Sequence, residues 1–155
     1  MNPSVCLVIS IDGQSLEVFR GQSCIRKFAV STSAIGSGFE KDSYRTPTGR
    51  FRICEKIGDG QPGGTIFKCR VPQGLWHSGE AVGEDLILTR ILRLEGLDAD
   101  NANTLERCIY IHGTNREDLI GQPTSHGCIR LGNAEVIELF GMVSEGDMVV
   151  ILAST

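Results

Sequence analysis

A chain of 155 residues with net charge −4, 41% apolar and 22% charged side chains can enclose one hydrophobic core and has the composition of an ordinary globular domain. The negative charge and the lack of any basic run argue against a nucleic-acid backbone or an anionic membrane as the main partner. No stretch approaches the roughly 20 apolar residues of a membrane-spanning helix.

The opening segment, MNPSVCLVISIDG, has no early Lys or Arg, and Asp12 interrupts its apolar run. It is therefore expected to be a first strand ending in an Asp-Gly turn and not an export signal. The expected location is cytoplasmic. Six scattered cysteines, with no C-x-x-C pair, fit free thiols in a reducing compartment. Cys6, Cys54 and Cys108 lie in apolar runs and are expected in the core.

Strand-like runs, rich in β-branched residues and often bounded by Gly, Asp, Asn or Pro, fall at 5–11, 15–19, 25–31, 49–57, 86–89, 108–112 and 148–152. Asp12-Gly13 and Arg20-Gly21 mark turns, so the first three strands should form a meander. Asn133 is expected to cap a helix reaching about residue 142, with Val136, Ile137, Leu139 and Phe140 on its apolar face. Residues 116–120 should add one helical turn. The Gly- and Pro-rich stretch 58–83 reads as long loops carrying function that could form a lid, with Trp76 and His77 within it. The expectation is one domain over 1–155, mainly β, a sandwich or partly closed barrel with one or two short helices.

Chemistry concentrates in Ser125-His126-Gly127-Cys128-Ile129-Arg130. If this piece is extended, His126 and Cys128 share a face, with Cα atoms about 6.5 Å apart at roughly 3.3 Å per residue. A neighbouring imidazolium favours a thiolate, which makes Cys128 a candidate nucleophile. Gly127 lets a substrate approach the backbone, and the amides of Gly127 and Cys128 offer an oxyanion site. A second His-Gly, His112-Gly113, follows a strand. His112, His126 and Cys128 with a water would also suit zinc, but two ligands two residues apart without an acidic partner make a weak metal signature. No cofactor motif is present.

The pairing of IHGTN with SHGCIRL resembles the signature of the L,D-transpeptidase catalytic domain (YkuD) family. TPTGRF (residues 46–51) and ILTRILRLEGLD (residues 87–98) agree with it. The resemblance covers nearly the whole chain and implies a β-sandwich and cysteine acyl transfer on peptidoglycan stem peptides. It implies Cys128 as nucleophile, His126 as its base, and Gly113 or His112 orienting the His126 ring through a backbone carbonyl. Ser125 and Arg130 would support the loop, Arg130 and Arg90 could meet substrate carboxylates, and the His112 side chain could contact substrate. With the missing export signal, the expected activity is a cytosolic L,D-carboxypeptidase that trims the terminal D-alanine of tetrapeptides during wall recycling. The alternatives are an L,D-transpeptidase separated from its leader and a non-catalytic peptide-binding β domain. No oligomeric state is implied.

Overall fold

The computed structural model describes residues 4–80 and 83–154. The chain is mainly β. The elements are β1 (Cys6–Ser10), β2 (Ser15–Arg20), β3 (Ser23–Ala29), β4 (Gly49–Ile57), β5 (Thr65–Lys68), β6 (Val71–Leu75), β7 (Ile87–Gly96), α1 (Thr104–Arg107), β8 (Tyr110–Gly113), β9 (Ile129–Leu131), α2 (Asn133–Met142) and β10 (Met148–Leu152).

The meander β1–β2–β3 forms as expected, with antiparallel pairing and a bulge at Val18/Phe19. Alternate residues Leu7 and Ile9 of β1 and Leu16 and Val18 of β2 are fully buried, the two-residue period of a strand with one face on the core. The last strand, β10, inserts between β1 (parallel) and β4 (antiparallel). The longest strand, β7, is the branch point. Along one edge it pairs first with β5 and then with β4, and along the other with β8, which pairs parallel with β9. The sheet then closes on itself. Ser31, just past β3, bridges Arg130 of β9, with Ser31 N–H to Arg130 O and Arg130 N–H to Ser31 O both 2.9 Å. The curled ladder surrounds one core containing Phe51, Ile53, Leu92, Leu94, Ile111, Ile129 and Val149.

Helix α2 covers one opening of this core with Val136, Leu139 and Phe140, spaced i, i+3, i+4 as an amphipathic helix requires. Its cap differs from the expected one. Gly132 holds the N-cap position and Asn133 is the first helical residue. The Asn133 side chain instead joins other elements, with Nδ2 donating to Thr114 O (2.8 Å) and Oδ1 accepting from Thr89 Oγ1 (2.6 Å). The expected turn at 116–120 is a 3-10 turn over Glu117–Leu119, and the Glu117 carboxylate caps α2 through the Asn133 N–H at 2.8 Å.

Three expectations are corrected. The stretch 58–83 is not all loop, because β5 and β6 form a hairpin within it. Cys69 and Arg70 turn that hairpin with φ of 49° and 66°, a left-handed pair usually signalled by Asn or Gly, and Pro72 and Gly74 mask β6. Cys108 is not in a strand. It ends α1 in the left-handed region at φ 56° and is exposed, while Cys6 and Cys54 are only half-buried. Finally, β7 runs on to Gly96, because residues 88–92 are buried on both faces and lack the alternation that marks a strand.

Candidate active site

Residues 126–128 are bends and not strand. Gly127 adopts φ +120°, a region that side chains avoid, and an added Cβ would meet the Arg45 carbonyl at 3.3 Å. His126 and Cys128 therefore do not share the face of a strand. Extended backbone begins at Ile129, where β9 pairs with β8. The turn is held from both sides. Ser125 N–H donates to Thr32 O (2.8 Å) and Ala34 N–H to Ser125 O (3.0 Å). Thr46 Oγ1, the first residue of TPTGRF, donates to Gly127 O at 2.9 Å.

Within the turn, Gly127 N–H donates to Ser125 Oγ (3.2 Å), and that hydroxyl donates to Cys128 O (2.7 Å). The Gly127 amide is thus spent on the loop, which leaves the Cys128 amide of the expected oxyanion pair. Ser125 and Arg130 are each 2% exposed and brace the loop from behind.

The Cys128 thiol points to the start of β8. It accepts from Tyr110 N–H at 3.4 Å and donates to Cys108 O at 3.3 Å. Burial pushes its pKa up to about 11; the Tyr110 N–H and Arg107 oppose this weakly, while Asp85 and Cys108 add to it. Burial thus works against a resting thiolate at Cys128, so that a base close by would be needed to draw off the thiol proton.

A second histidine, His112, lies close by along β8. Tyr110 and His112 lie two residues apart on β8 and share a face, and Tyr110 touches the thiol. His112 is 2% exposed, with Nδ1 at 2.5 Å from Gly113 O. A carbonyl only accepts, so Nδ1 carries the proton and Nε2 keeps its lone pair. Gly113 thus orients the His112 ring, whereas sequence reasoning has it orient His126. Burial holds the His112 imidazole below its usual pKa and Arg130 adds to this, against the Gly113 carbonyl and Asp85.

A stability prediction follows. The unfolded chain takes up a proton near pH 6.5 and the folded chain does not. Stability is therefore full above that pH and is lost as the pH falls below it, at up to about 1.4 kcal/mol per pH unit. Urea denaturation between pH 5 and 7.5 should show this slope, and His112→Gln should flatten it.

Thr89 backs the His112–Gly113 corner from a bulge in β7 with φ 76°. That is a strained conformation for a β-branched residue. Its hydroxyl donates to Asn133 Oδ1 and accepts from Gly64 N–H at 3.0 Å.

His126 stands at the rim, its side chain 70% exposed, edge-on to Tyr44 with ring centroids 5.7 Å apart. Its Nδ1 lies 3.7 Å from Asp85 Oδ2. Sequence reasoning missed Asp85, the second acid of Glu84-Asp85 before β7, with no motif around it. Arg90 is not brought to this site. It is 7% exposed, donates to the Gln61 and Thr89 carbonyls (2.9 and 2.6 Å) and lies 5.4 Å over the Phe140 ring. Among the described residues, no group of three or more His, Cys, Asp and Glu side chains is placed to hold a metal ion. Beside the site a groove of about 580 Å³ runs past Trp76, Glu80, Gly83 and Arg116.

The sequence pattern of the L,D-transpeptidase catalytic domain (YkuD) matches residues 4–151. The chain belongs to the L,D-transpeptidase catalytic domain family. It is 49% identical over 143 residues to the L,D-transpeptidase-type protein YkuD of Bacillus licheniformis, covering 92% of this chain and 62% of that one. A second relative, YqjB of Bacillus subtilis, is 46% identical over 52 residues, which are 34% of this chain and 30% of that protein. The chain thus spans less than two thirds of the length of these relatives. Among solved structures, an L,D-transpeptidase from Mycobacterium smegmatis superposes with a TM-score of 0.59 at 20% identity, covering 97% of this chain and 59% of that one. L,D-transpeptidase 3 of Mycobacterium tuberculosis, solved with a faropenem-derived adduct, gives 0.58 at 18% identity, covering 96% and 60%. Both share the mainly β L,D-transpeptidase fold.

Proposed function

We propose that this L,D-transpeptidase domain is a cysteine acyl-transfer enzyme acting on peptidoglycan stem peptides, with Cys128 as nucleophile and His112 as its base. One observation carries the reading: the Cys128 thiol is seated against the β8 backbone at Tyr110 N–H, two residues before His112, whose ring the Gly113 carbonyl fixes through Nδ1.

His112 Nε2 takes the thiol proton as Cys128 Sγ attacks the carbonyl of the diamino acid in the stem. The Cys128 amide stabilises the oxyanion. The tetrahedral adduct then expels the terminal D-alanine as an amine, which takes the proton back from the histidine. A thioester remains on Cys128. Water at this thioester gives an L,D-carboxypeptidase; the amine of a second stem gives a cross-link.

We favour the carboxypeptidase in a reducing, cytoplasmic setting. Six free cysteines support it, Cys24, Cys69 and Cys108 being exposed, because surface thiols persist where glutathione keeps them reduced. A true transpeptidase is the second reading. The groove of about 580 Å³ along Trp76 and Glu80 is large enough to receive part of an acceptor peptide.

The test is mass spectrometry of a sugar-free tetrapeptide stem incubated with the protein, with and without excess free D-amino acid. Loss of one alanine with little exchange product supports hydrolysis. Dominant exchange or cross-linking replaces it with transpeptidation. An intact stem, with no thioester on Cys128, rejects acyl transfer.

A further inference from the structure

One carboxylate, Asp85, stands between two cationic or titratable side chains of this site, Arg130 and His126. Asp85 lies in the short approach to β7. Leu86 N–H donates to Asn115 Oδ1 (2.9 Å) and Asn115 Nδ2 to Glu84 O (3.0 Å), which fastens this approach to the segment leaving β8. Asp85 is 23% exposed at its side chain, and its Oδ1 accepts from Arg130 Nη1 at 2.9 Å. Arg130 is fixed in turn, donating from Nη2 to Thr124 Oγ1 (2.5 Å) and Ser31 Oγ (3.3 Å). Asp85 Oδ1 is thereby committed, while Oδ2 is turned to His126 Nδ1 at 3.7 Å.

The His126 ring divides two recesses. On one side a pocket of about 160 Å³ is lined by Glu84, Asp85, Arg116, Thr124 and Arg130. On the other a pocket of about 150 Å³ is lined by Lys41, Asp42, Tyr44, Glu106 and Arg107. A side chain as exposed as His126 holds no single rotamer unless something restrains it.

We infer that Asp85 is a positioning residue, its carboxylate tying the exposed His126 ring to the buried Arg130 guanidinium. This rests on the acyl-transfer reading above. An acceptor at Nδ1 keeps the proton there and turns Nε2 toward a bound peptide, as a carboxylate does for a catalytic imidazole. At 3.7 Å the contact closes by a small rotation or through one water, as contacts in unliganded sites often do. The negative charge also acts at a distance, raising the pKa of both His112 and Cys128, with Arg130 and Arg107 as the opposing cations.

The experiment uses the full chain with Asp85→Asn, His126→Gln and the double variant, and takes two readouts. The first is kcat on the tetrapeptide stem. Asp85→Asn and His126→Gln should each lower kcat about tenfold or more, and the double variant should fall no further, because both remove one constraint. Effects that multiply, or an Asp85→Asn variant with unchanged kcat, overturn the inference. The second readout is the pH midpoint of Cys128 alkylation by iodoacetamide, mapped by peptide mass spectrometry. It needs no acyl-transfer activity. Asp85→Asn should shift it to lower pH, since the remaining cations favour the thiolate; an unmoved midpoint in a folded variant also overturns the inference. If Asp85→Asn does not fold, Asp85→Glu replaces it in the same cycle with His126→Gln, under the same criterion. A wild-type protein inactive on the stem would defeat the acyl-transfer reading and leave the alkylation result standing.

Discussion

Cys128→Ala is expected to reduce turnover of a tetrapeptide stem to background, a loss of at least about 10⁴-fold, as when the nucleophile of a coupled catalytic group is removed. The fold should survive. The thiol makes two weak contacts, with Tyr110 N–H and Cys108 O, worth about 1 kcal/mol at most. The position is half-buried, so a methyl group fits. Circular dichroism and melting should therefore match the parent while intact-mass spectra lose the acyl-enzyme. Residual turnover within about tenfold of the parent would show that another group attacks. Because burial works against a resting thiolate, alkylation of Cys128 in the parent should be slower near pH 7 than at the exposed Cys24 or Cys69, a rank order readable in one mass-spectrometric time course.

Arg130→Leu is expected to be the most destabilising single change near the site, by about 3 kcal/mol, within the range for breaking a buried ion pair. Arg130 side-chain exposure is 3%. Leucine would leave Asp85 without its cation and remove one donor each from Thr124 Oγ1 and Ser31 Oγ. It would also loosen the one place where β9 meets the chain leaving β3. The backbone bonds between Ser31 and Arg130 remain, so the variant should still fold, with a lower urea midpoint and an unchanged m-value. A midpoint within about 0.5 kcal/mol of the parent would mean that the guanidinium adds nothing to closure.

Much of this was legible in the sequence. The meander, α2 and the loop that carries the candidate nucleophile are marked by patterns local to a few residues: alternation in 5–11, i, i+3, i+4 spacing in 136–140, and SHGC around Cys128. What failed depended on contacts distant in sequence. The expectation that His126 and Cys128 share one extended face fails because Gly127 turns the chain at φ +120°. The thiol lies instead against the N–H of Tyr110, two residues before His112 on β8. Arg90 looked like a surface charge free to meet substrate, and it is spent on carbonyls across β7 and on the Phe140 ring. Asp85 carries no signal in the sequence, since an acidic pair before a strand is ordinary until Arg130 is found beside one of its carboxylates. The β5–β6 hairpin was hidden by a Cys-Arg turn in a left-handed conformation that Gly or Asn usually announces.

The place of β10 bears on how the protein comes to be made. Because β10 lies between β1 and β4, a ribosome that has not yet released residues 148–152 holds a chain with two open strand edges in the middle of its sheet. Such edges pair readily with other chains, and the contacts that seal them join β10 to strands far earlier in the sequence, which slows folding. The SHGC loop leaves the ribosome before the strand that completes the sheet beneath it. The enzyme therefore passes through a stage in which its nucleophile is already synthesised and its sheet unsealed, a stage at which chaperones would find a substrate.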